Sequence, residues 1–315
     1  MHSVGMVLHP QRDSAEAVNA VLGWAARKDA AVYGIHDEIV RLNCAATGVS
    51  PAELAQRSDL LVSIGGDGTM LRAMRLADGQ RAPVLGVNLG KLGFLAEVDV
   101  PDLPAALTAI DAHDYTIEPR LAIDSVVDAA GKEPIDRHGA QPDGILAADI
   151  QASGETGQAT AFNDIAVVRI PGDGLAEVAV RVSGQPFVSY ASDAVIIATP
   201  TGSTAYSFSA GGPIVSPAVE ALLITPASPH SAFNRGVVLS VMDTVSLEIL
   251  PGSGRLAVEV DGRIGAYVSG GDYIDLTARP AAARVVRLGR TTFYQRTRRK
   301  LQISDPAEIG AQKNF

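Results

Sequence analysis

The chain has 315 residues, 47% hydrophobic and 19% charged, with a formal net charge of -9 at pH 7. That length allows two modest domains or one large one, and the acidic balance excludes the basic field that nucleic acid or an anionic membrane requires, but not a nucleotide, whose phosphates need only a few local donors. Cys44 is the only cysteine, and neither a signal-peptide pattern nor an apolar run of membrane-spanning length occurs, so a soluble cytoplasmic protein without disulfides is expected.

The first third alternates strand and helix patterns. Residues 4–8 form a short apolar run, 14–27 are rich in helix formers with Ala17, Val21, Leu22 and Trp24 near one face, and 31–35 predict a second strand. A helix start with proline in its first turn falls at 51–56. Residues 60–64 predict a third strand, followed by Gly65-Gly66-Asp67-Gly68-Thr69 and a helix starting near Thr69 and running through Leu71, Met74 and Leu76. A strand at 83–87 and a helix at 101–112 complete an α/β domain over residues 1–119. Its sheet should be parallel, Rossmann-like and covered on both faces, with ligands bound beyond the carboxyl ends of the strands, where the glycine turn falls.

From about Arg120 the pattern changes to short strands punctuated by Gly, Pro and Asp: 122–127, 165–169, 178–182, 195–199, 237–241, 245–250, 256–260 and 273–277. This predicts a mostly antiparallel, β-rich domain over 120–290. Residues 130–160 are polar and weakly periodic, a long hairpin insertion or a loop. The stretch 291–315 carries Arg296, Arg298, Arg299 and Lys300 and predicts a basic helix or tail, either solvated or packing back on the first domain. Gly252-Ser253-Gly254-Arg255-Leu256-Ala257 matches a loose dinucleotide pattern but opens no helix, which predicts a hairpin turn.

Two runs carry the chemistry. In Gly65-Gly66-Asp67-Gly68-Thr69 the glycines let backbone N–H groups approach a phosphate, and the following helix points its positive end at the same place. Asp67 is repulsive to phosphate unless it meets Mg²⁺ or accepts a proton from a hydroxyl; the plainer alternative is a tight turn with Asp67 or Thr69 as helix cap. The second run, Pro200-Thr201-Gly202-Ser203-Thr204-Ala205-Tyr206, crowds hydroxyls behind the strand that Asp193 opens, with Ser209 and Gly211-Gly212-Pro213 following. Asn163-Asp164 is able to read a ribose or adenine edge, or forms only a turn. A P-loop, a G-x-S-x-G elbow and metal-ligand spacing among the six histidines are all absent from the sequence.

Together with Asn88-Leu89-Gly90-Lys91-Leu92-Gly93-Phe94 and Asp261-Gly262, these runs resemble, in order and spacing over most of the chain, the NAD kinases of bacteria. The glycine–aspartate turn alone is shared with lipid kinases and phosphofructokinases; the 200–206 run is more specific. The resemblance implies an active site between an α/β domain and a β-rich domain, and transfer of a phosphoryl group from ATP or polyphosphate, with Mg²⁺ or another divalent cation, to the 2′-hydroxyl of the adenosine ribose of NAD. It implies that Asp67 takes the proton of that hydroxyl and that Gly66, Gly68 and Thr69 lie against phosphates. Asn163 and Asp164 would hold the adenosine half, and Thr204, Ala205, Tyr206 and Ser209 would line its pockets. Arg72, Asn88, Phe94, Thr201, Ser203 and Asp261 join the implied nucleotide-binding set. Asp193 would contact the nicotinamide end from a neighbouring subunit of a homodimer or homotetramer.

Three departures stand out: Asp164 where Glu is usual, Ala194 where Gly is common, and the long 130–160 segment. A lipid kinase would not need Asn163-Asp164 or the 200–206 loop, and a non-catalytic NAD-binding regulator would not need Asp67.

Overall fold

The computed structural model describes residues 1–90, 93–128 and 157–303, which fall into two compact units: residues 1–118 together with the chain from 283 onward, and residues 119–282. Lys91, Leu92 and most of the polar 130–160 segment lie outside the described residues.

The first unit runs β1 (Ser3–Leu8), α1 (Ala15–Ala26), β2 (Ala31–Ile35), α2 (His36–Leu42), β3 (Thr47–Val49), α3 (Pro51–Arg57), β4 (Leu60–Gly65), α4 (Asp67–Ala77), β5 (Val84–Asn88), β6 (Val98–Asp99) and α5 (Leu103–Asp111). Its parallel strands lie in the order β3-β2-β1-β4-β5, with β6 pairing β5. This is the doubly wound arrangement: the winding reverses between β1 and β4, and the crevice outside their carboxyl ends is where such sheets take ligands. Val4, Met6, Leu8, Leu60, Val62, Ile64, Leu85 and Val87 face one way and pack with α1 and α5 in a common core. Each such fully buried aliphatic contributes about 1.5–3 kcal/mol. Opposite lies the face of Gly5, where a Cβ would collide with Leu54 of α3 and Leu61, so small size there is what lets α3 approach.

The second unit is a pair of antiparallel sheets. One contains β7 (Thr116–Asp128), β8 (Gly157–Ala161), β10 (Ala176–Val182), β11 (Gln185–Ser192), β15 (Val245–Ile249) and the first part of β18 (Tyr273–Arg287). The other runs β14 (Val237–Ser240), β13 (Ala221–Ala227), β12 (Ala194–Ala198), β9 (Asp164–Arg169), β16 (Leu256–Val260) and β17 (Arg263–Val268). Alternate residues of both sheets, among them Val178, Val180, Ile165, Val167, Val195, Ile197 and Leu247, form one core. The outer face of the second sheet (Ala166, Ala194, Ile196, Ala198) is covered by Tyr206, Ala210 and Val215, so the 200–215 segment is a lid packed on that sheet. It includes the short α6 (Tyr206–Ser209). β18 begins in this unit beside β15 and ends in the first, where Val285 pairs with Val84 of β5.

Several expectations need correction. α4 begins at Asp67, not near Thr69, and its N-cap is Gly66, so neither Asp67 nor Thr69 is the cap residue. The 252–254 stretch is no hairpin: β15 and β16, which flank it, belong to different sheets. The C-terminal basic stretch forms α7 (Phe293–Lys300), and its solvated reading holds for Arg298, Arg299 and Lys300 but fails for Arg296, which is 3% exposed. Also, α2, β3, β8, β11, β13 and β17 have no counterpart in the predicted elements.

Candidate active site

In the first unit the site grows from the β1–β4 pair. The His9 amide donates to the Ile64 carbonyl (2.9 Å) and the Leu89 amide to the Gly65 carbonyl (2.9 Å), so the loops leaving β1 and β5 flank the glycine turn on either side. At Gly66 and Gly68 an added Cβ would meet nothing within 4 Å, and neither has a positive φ. Neither packing nor backbone conformation therefore demands glycine there; what the two residues leave is open room at a helix N-terminus. Thr69 and Asn88 are buried beside it, and the Asn88 side-chain amide donates to Asp99 (3.0 Å) while its Oδ1 has no partner among the described residues.

Asp67 is half-buried. Its Oδ2 accepts from the Phe94 amide (2.9 Å) and its Oδ1 from the Leu95 amide (3.0 Å). The closeness of the loop requires glycine at 93, where a Cβ would fall 2.1 Å from Oδ1. An ionised carboxylate has about four lone-pair positions, so two amides orient it and leave one position on each oxygen for a ligand. The carboxylate is thus neither a cap of its own helix nor consumed.

Arg72, one turn further along α4, is 7% exposed and pairs with Glu38 at the start of α2, with Nη2 also donating to the Leu8 carbonyl (3.2 Å). Glu38 in turn accepts from the Leu8 amide (2.9 Å), and burial raises its pKa although Arg72 pulls the other way. The Arg72 guanidinium therefore braces the exit of β1. His9 accepts from the Gln11 and Arg12 amides through Nδ1 (3.1 and 3.0 Å), and burial followed by Arg12, Arg41 and Arg72 lowers its pKa. His9 thus lies among the Arg12, Arg41 and Arg72 guanidinium groups, and of these Arg72 is already paired with Glu38. Glu38, His9, Arg12 and Arg41 carry no motif signature and were not singled out by sequence.

In the second unit the structure brings Asn163, Asp164, Asp261 and the 199–206 run together. Asp261-Gly262 is the two-residue turn between β16 and β17, with φ of 48° and 74°, the geometry that Asp-Gly suits. From there the Asp261 carboxylate accepts from the amides of Phe162 (3.1 Å), Asn163 (2.7 Å) and Asp164 (3.3 Å). The Thr199 amide donates to the Asn163 carbonyl (2.8 Å), and at Gly202 a Cβ would fall 2.0 Å from that same oxygen. Ser203 is fully buried; its hydroxyl donates to Pro200 (2.7 Å) and accepts from Val215 (3.0 Å). Thr201 accepts from Arg120 (3.0 Å), Thr204 donates to Thr201 (3.3 Å), and Ser209 donates to Ala205 (3.5 Å). Asp261, Thr201 and Ser203 are thus engaged in shaping the loops, whereas the Asn163 and Tyr206 side chains make no hydrogen bond to described residues.

Asp164 is 3% exposed, and its pKa is raised to about 7, first by burial, then by Asp261 and Glu259, against a hydrogen bond from the Tyr206 amide. The Tyr206 hydroxyl is raised by burial and by Glu259, Asp193 and Asp164. Asp193 pairs with Arg169 and is held low by that hydrogen bond.

Among the described residues no three His, Cys, Asp or Glu side chains cluster as a metal cage, and no helix is long and apolar enough to cross a membrane. The ATP-NAD kinase N-terminal domain matches residues 4–115 and the ATP-NAD kinase C-terminal domain matches residues 162–288. NAD kinase 1 of Streptomyces avermitilis is 38% identical over 97% of this chain and 89% of its own length. The NAD kinase of Desulforamulus reducens is 35% identical over 96% and 98%. Among solved structures, yeast NADH kinase complexed with NADH superposes with a TM-score of 0.80 at 23% identity, covering 97% of this chain and 89% of that one. An NAD kinase from Archaeoglobus fulgidus in complex with ATP gives 0.67 at 22%, covering 96% and all of that chain.

Proposed function

The chain belongs to the NAD kinase family, and from that premise we propose that it transfers the terminal phosphoryl group of ATP to the 2′-hydroxyl of the adenosine ribose of NAD, with Asp67 as the base. The observation that carries the role of Asp67 is its bidentate hold by the Phe94 and Leu95 amides, which fixes the carboxylate plane and leaves lone pairs open beside Gly66 and Gly68. The ribose oxygen attacks the γ-phosphorus, the bond to the β–γ bridging oxygen breaks, the hydroxyl proton passes to Asp67, and ADP leaves.

The open turn at Gly66 and Gly68, with Arg12 and Arg41 near the exit of β1, suits the donor phosphates. Asn163 and Tyr206 suit the adenosine half, because their side-chain polar atoms make no hydrogen bond to described residues, and Asp164, which accepts from the Tyr206 amide, lies beside them. The absence of a cluster of three or more such side chains among the described residues fits a divalent cation carried mainly by the donor phosphates, which would supply charge neutralisation. The readings as a lipid kinase or a non-catalytic regulator find no support among the relatives described.

Purified protein with NAD, ATP and Mg²⁺ is expected to form NADP, and Asp67→Asn is expected to bind NAD while losing about 10²–10⁴ in turnover. Near-normal turnover of that variant would remove Asp67 from the chemistry. Polyphosphate in place of ATP tests the donor. Asp193 is proposed to meet the nicotinamide end of a neighbouring subunit's ligand in a homo-oligomer, tested by solution mass with and without NAD.

A further inference from the structure

The loop that holds Asp67 is itself held by the far end of the chain. Leu95, whose amide donates to Asp67, offers its carbonyl to Arg287 Nη1 at 2.8 Å. One residue therefore carries both contacts. Arg287 ends β18, is buried, and is fixed through Nε to Glu118 at 2.9 Å. Two residues beyond Leu95, Glu97 reciprocates: its carboxylate accepts from the amides of Leu288 (3.1 Å), Arg290 (3.0 Å) and Thr291 (3.4 Å). The segment then turns into α7, whose first turn is closed by a Thr292–Gln295 capping box, and Arg296 folds back to donate to the Thr291 carbonyl (2.7 Å). A cation and an anion have thus been exchanged between residues 95–97 and 287–291, each spent on the other's backbone.

We propose that Arg287 and Glu97 are positioning residues for the phosphoryl transfer, acting through the Leu95 peptide to set the plane and direction of the Asp67 carboxylate. The proposal rests on the reading of Asp67 as the base. Asp67 sits at the first helical position of α4, where an unrestrained carboxylate is drawn toward the free N–H groups of its own helix. Two amides from outside the helix hold it away from them, and those amides keep their places only while the loop is anchored. Leu95 and Ala96 are buried, and among the described residues of the loop before β6 (93–97) no ladder bond forms, so the Arg287 bond orients the Leu95 peptide. A displacement of about 1 Å in a reacting group costs on the order of 100-fold in rate. Loosening the anchor should therefore lower kcat and leave substrate affinity nearly intact.

The test compares four variants of the full chain in steady-state NADP formation, with NAD binding titrated to count folded sites. Arg287→Met is expected to lower kcat per folded site by about 10–100-fold with KM for NAD and ATP changed by less than about threefold. Arg287→Lys, whose ammonium is able to reach the Leu95 carbonyl, should recover part of that loss, and Glu97→Gln should lower kcat in the same sense. Asp67→Asn runs alongside. If Asp67→Asn turns over normally, the assignment of the base falls and this proposal with it. If Asp67→Asn is inactive while Arg287→Met and Glu97→Gln keep wild-type kcat, or raise KM instead, this proposal alone is overturned. Should Arg287→Met not fold, Arg287→Lys and Glu97→Gln decide: wild-type kcat in both refutes, reduced kcat at unchanged KM supports.

Discussion

Asp164→Asn makes the energetic cost of a buried carboxylate measurable. Burial and the neighbouring Asp261 and Glu259 raise the Asp164 pKa from 3.8 to about 7 in the folded protein. A group whose folded pKa is raised contributes most to stability below its unfolded pKa, and the contribution is lost as pH rises through the folded one. Below about pH 4 the carboxyl is protonated in both states; above about pH 7 the fold must carry a charge it disfavours. Moving that carboxyl from 3.8 to about 7 corresponds to roughly 4 kcal/mol, of which about 2–3 kcal/mol falls between pH 5 and pH 8. At 3% exposure the carboxyl is shielded from solvent. Asparagine has the same shape and no titration, so the stability difference between variant and wild type should move in the variant's favour by that amount as pH rises. At about 2–4 °C per kcal/mol for a unit of this size, the relative melting temperature should shift by roughly 5–10 °C across that range. Thermal melts of both proteins at matched pH values read it directly. Parallel pH dependence in the two proteins would show that Asp164 is already ionised at low pH and that the burial argument is wrong.

Other perturbations follow from contacts of comparable definition. Gly93→Ala puts a Cβ 2.1 Å from Asp67 Oδ1, so kcat should drop by about 100-fold in an otherwise folded enzyme, checked by steady-state kinetics beside a circular-dichroism melt. Asp261→Ala strips an acceptor from three amides and places alanine at a φ of 48°, and should cost about 2–4 kcal/mol by denaturant titration; Asp261→Asn, which keeps an acceptor and tolerates that φ, should cost much less. Arg72→Met leaves Glu38 buried and unpaired and should cost about 3–5 kcal/mol near neutral pH, with the loss shrinking as the solution is acidified and Glu38 takes up a proton, checked by urea unfolding at two pH values.

What the sequence disclosed depended on how locally each feature is encoded. Runs such as Leu60-Leu61-Val62-Ser63-Ile64 are buried on both faces and announce themselves by composition, and the turn behind them by its glycines. α2 was illegible because it follows β2 with no polar cap: its N-cap is Ile35, which offers no side-chain acceptor. β3 has three residues, too few for a period to show. β11 is half exposed, β17 has a single fully buried residue, and β13 carries Pro226 near its end, each of which masks the strand pattern. At the site, Asp67 and the Asp261-Gly262 turn were legible as motifs. Which hydroxyls of the 200–206 run are spent on the loop itself was not, because the partners Arg120 and Val215 lie outside it. Arg287 falls in none of the predicted elements; its partner Leu95 lies 192 positions away, and spacing cannot reveal such a pair.

That separation bears on synthesis. The first unit is discontinuous, with residues 119–282 inserted between its two parts. A ribosome making this chain emits Asp67 and its loop early and the arginine that fastens them only after the whole inserted unit has emerged. Domains fold as units during translation, so the inserted one is free to fold while the other waits. The nascent polypeptide therefore carries the future reaction centre unlatched until residues 287–291 have followed the inserted unit.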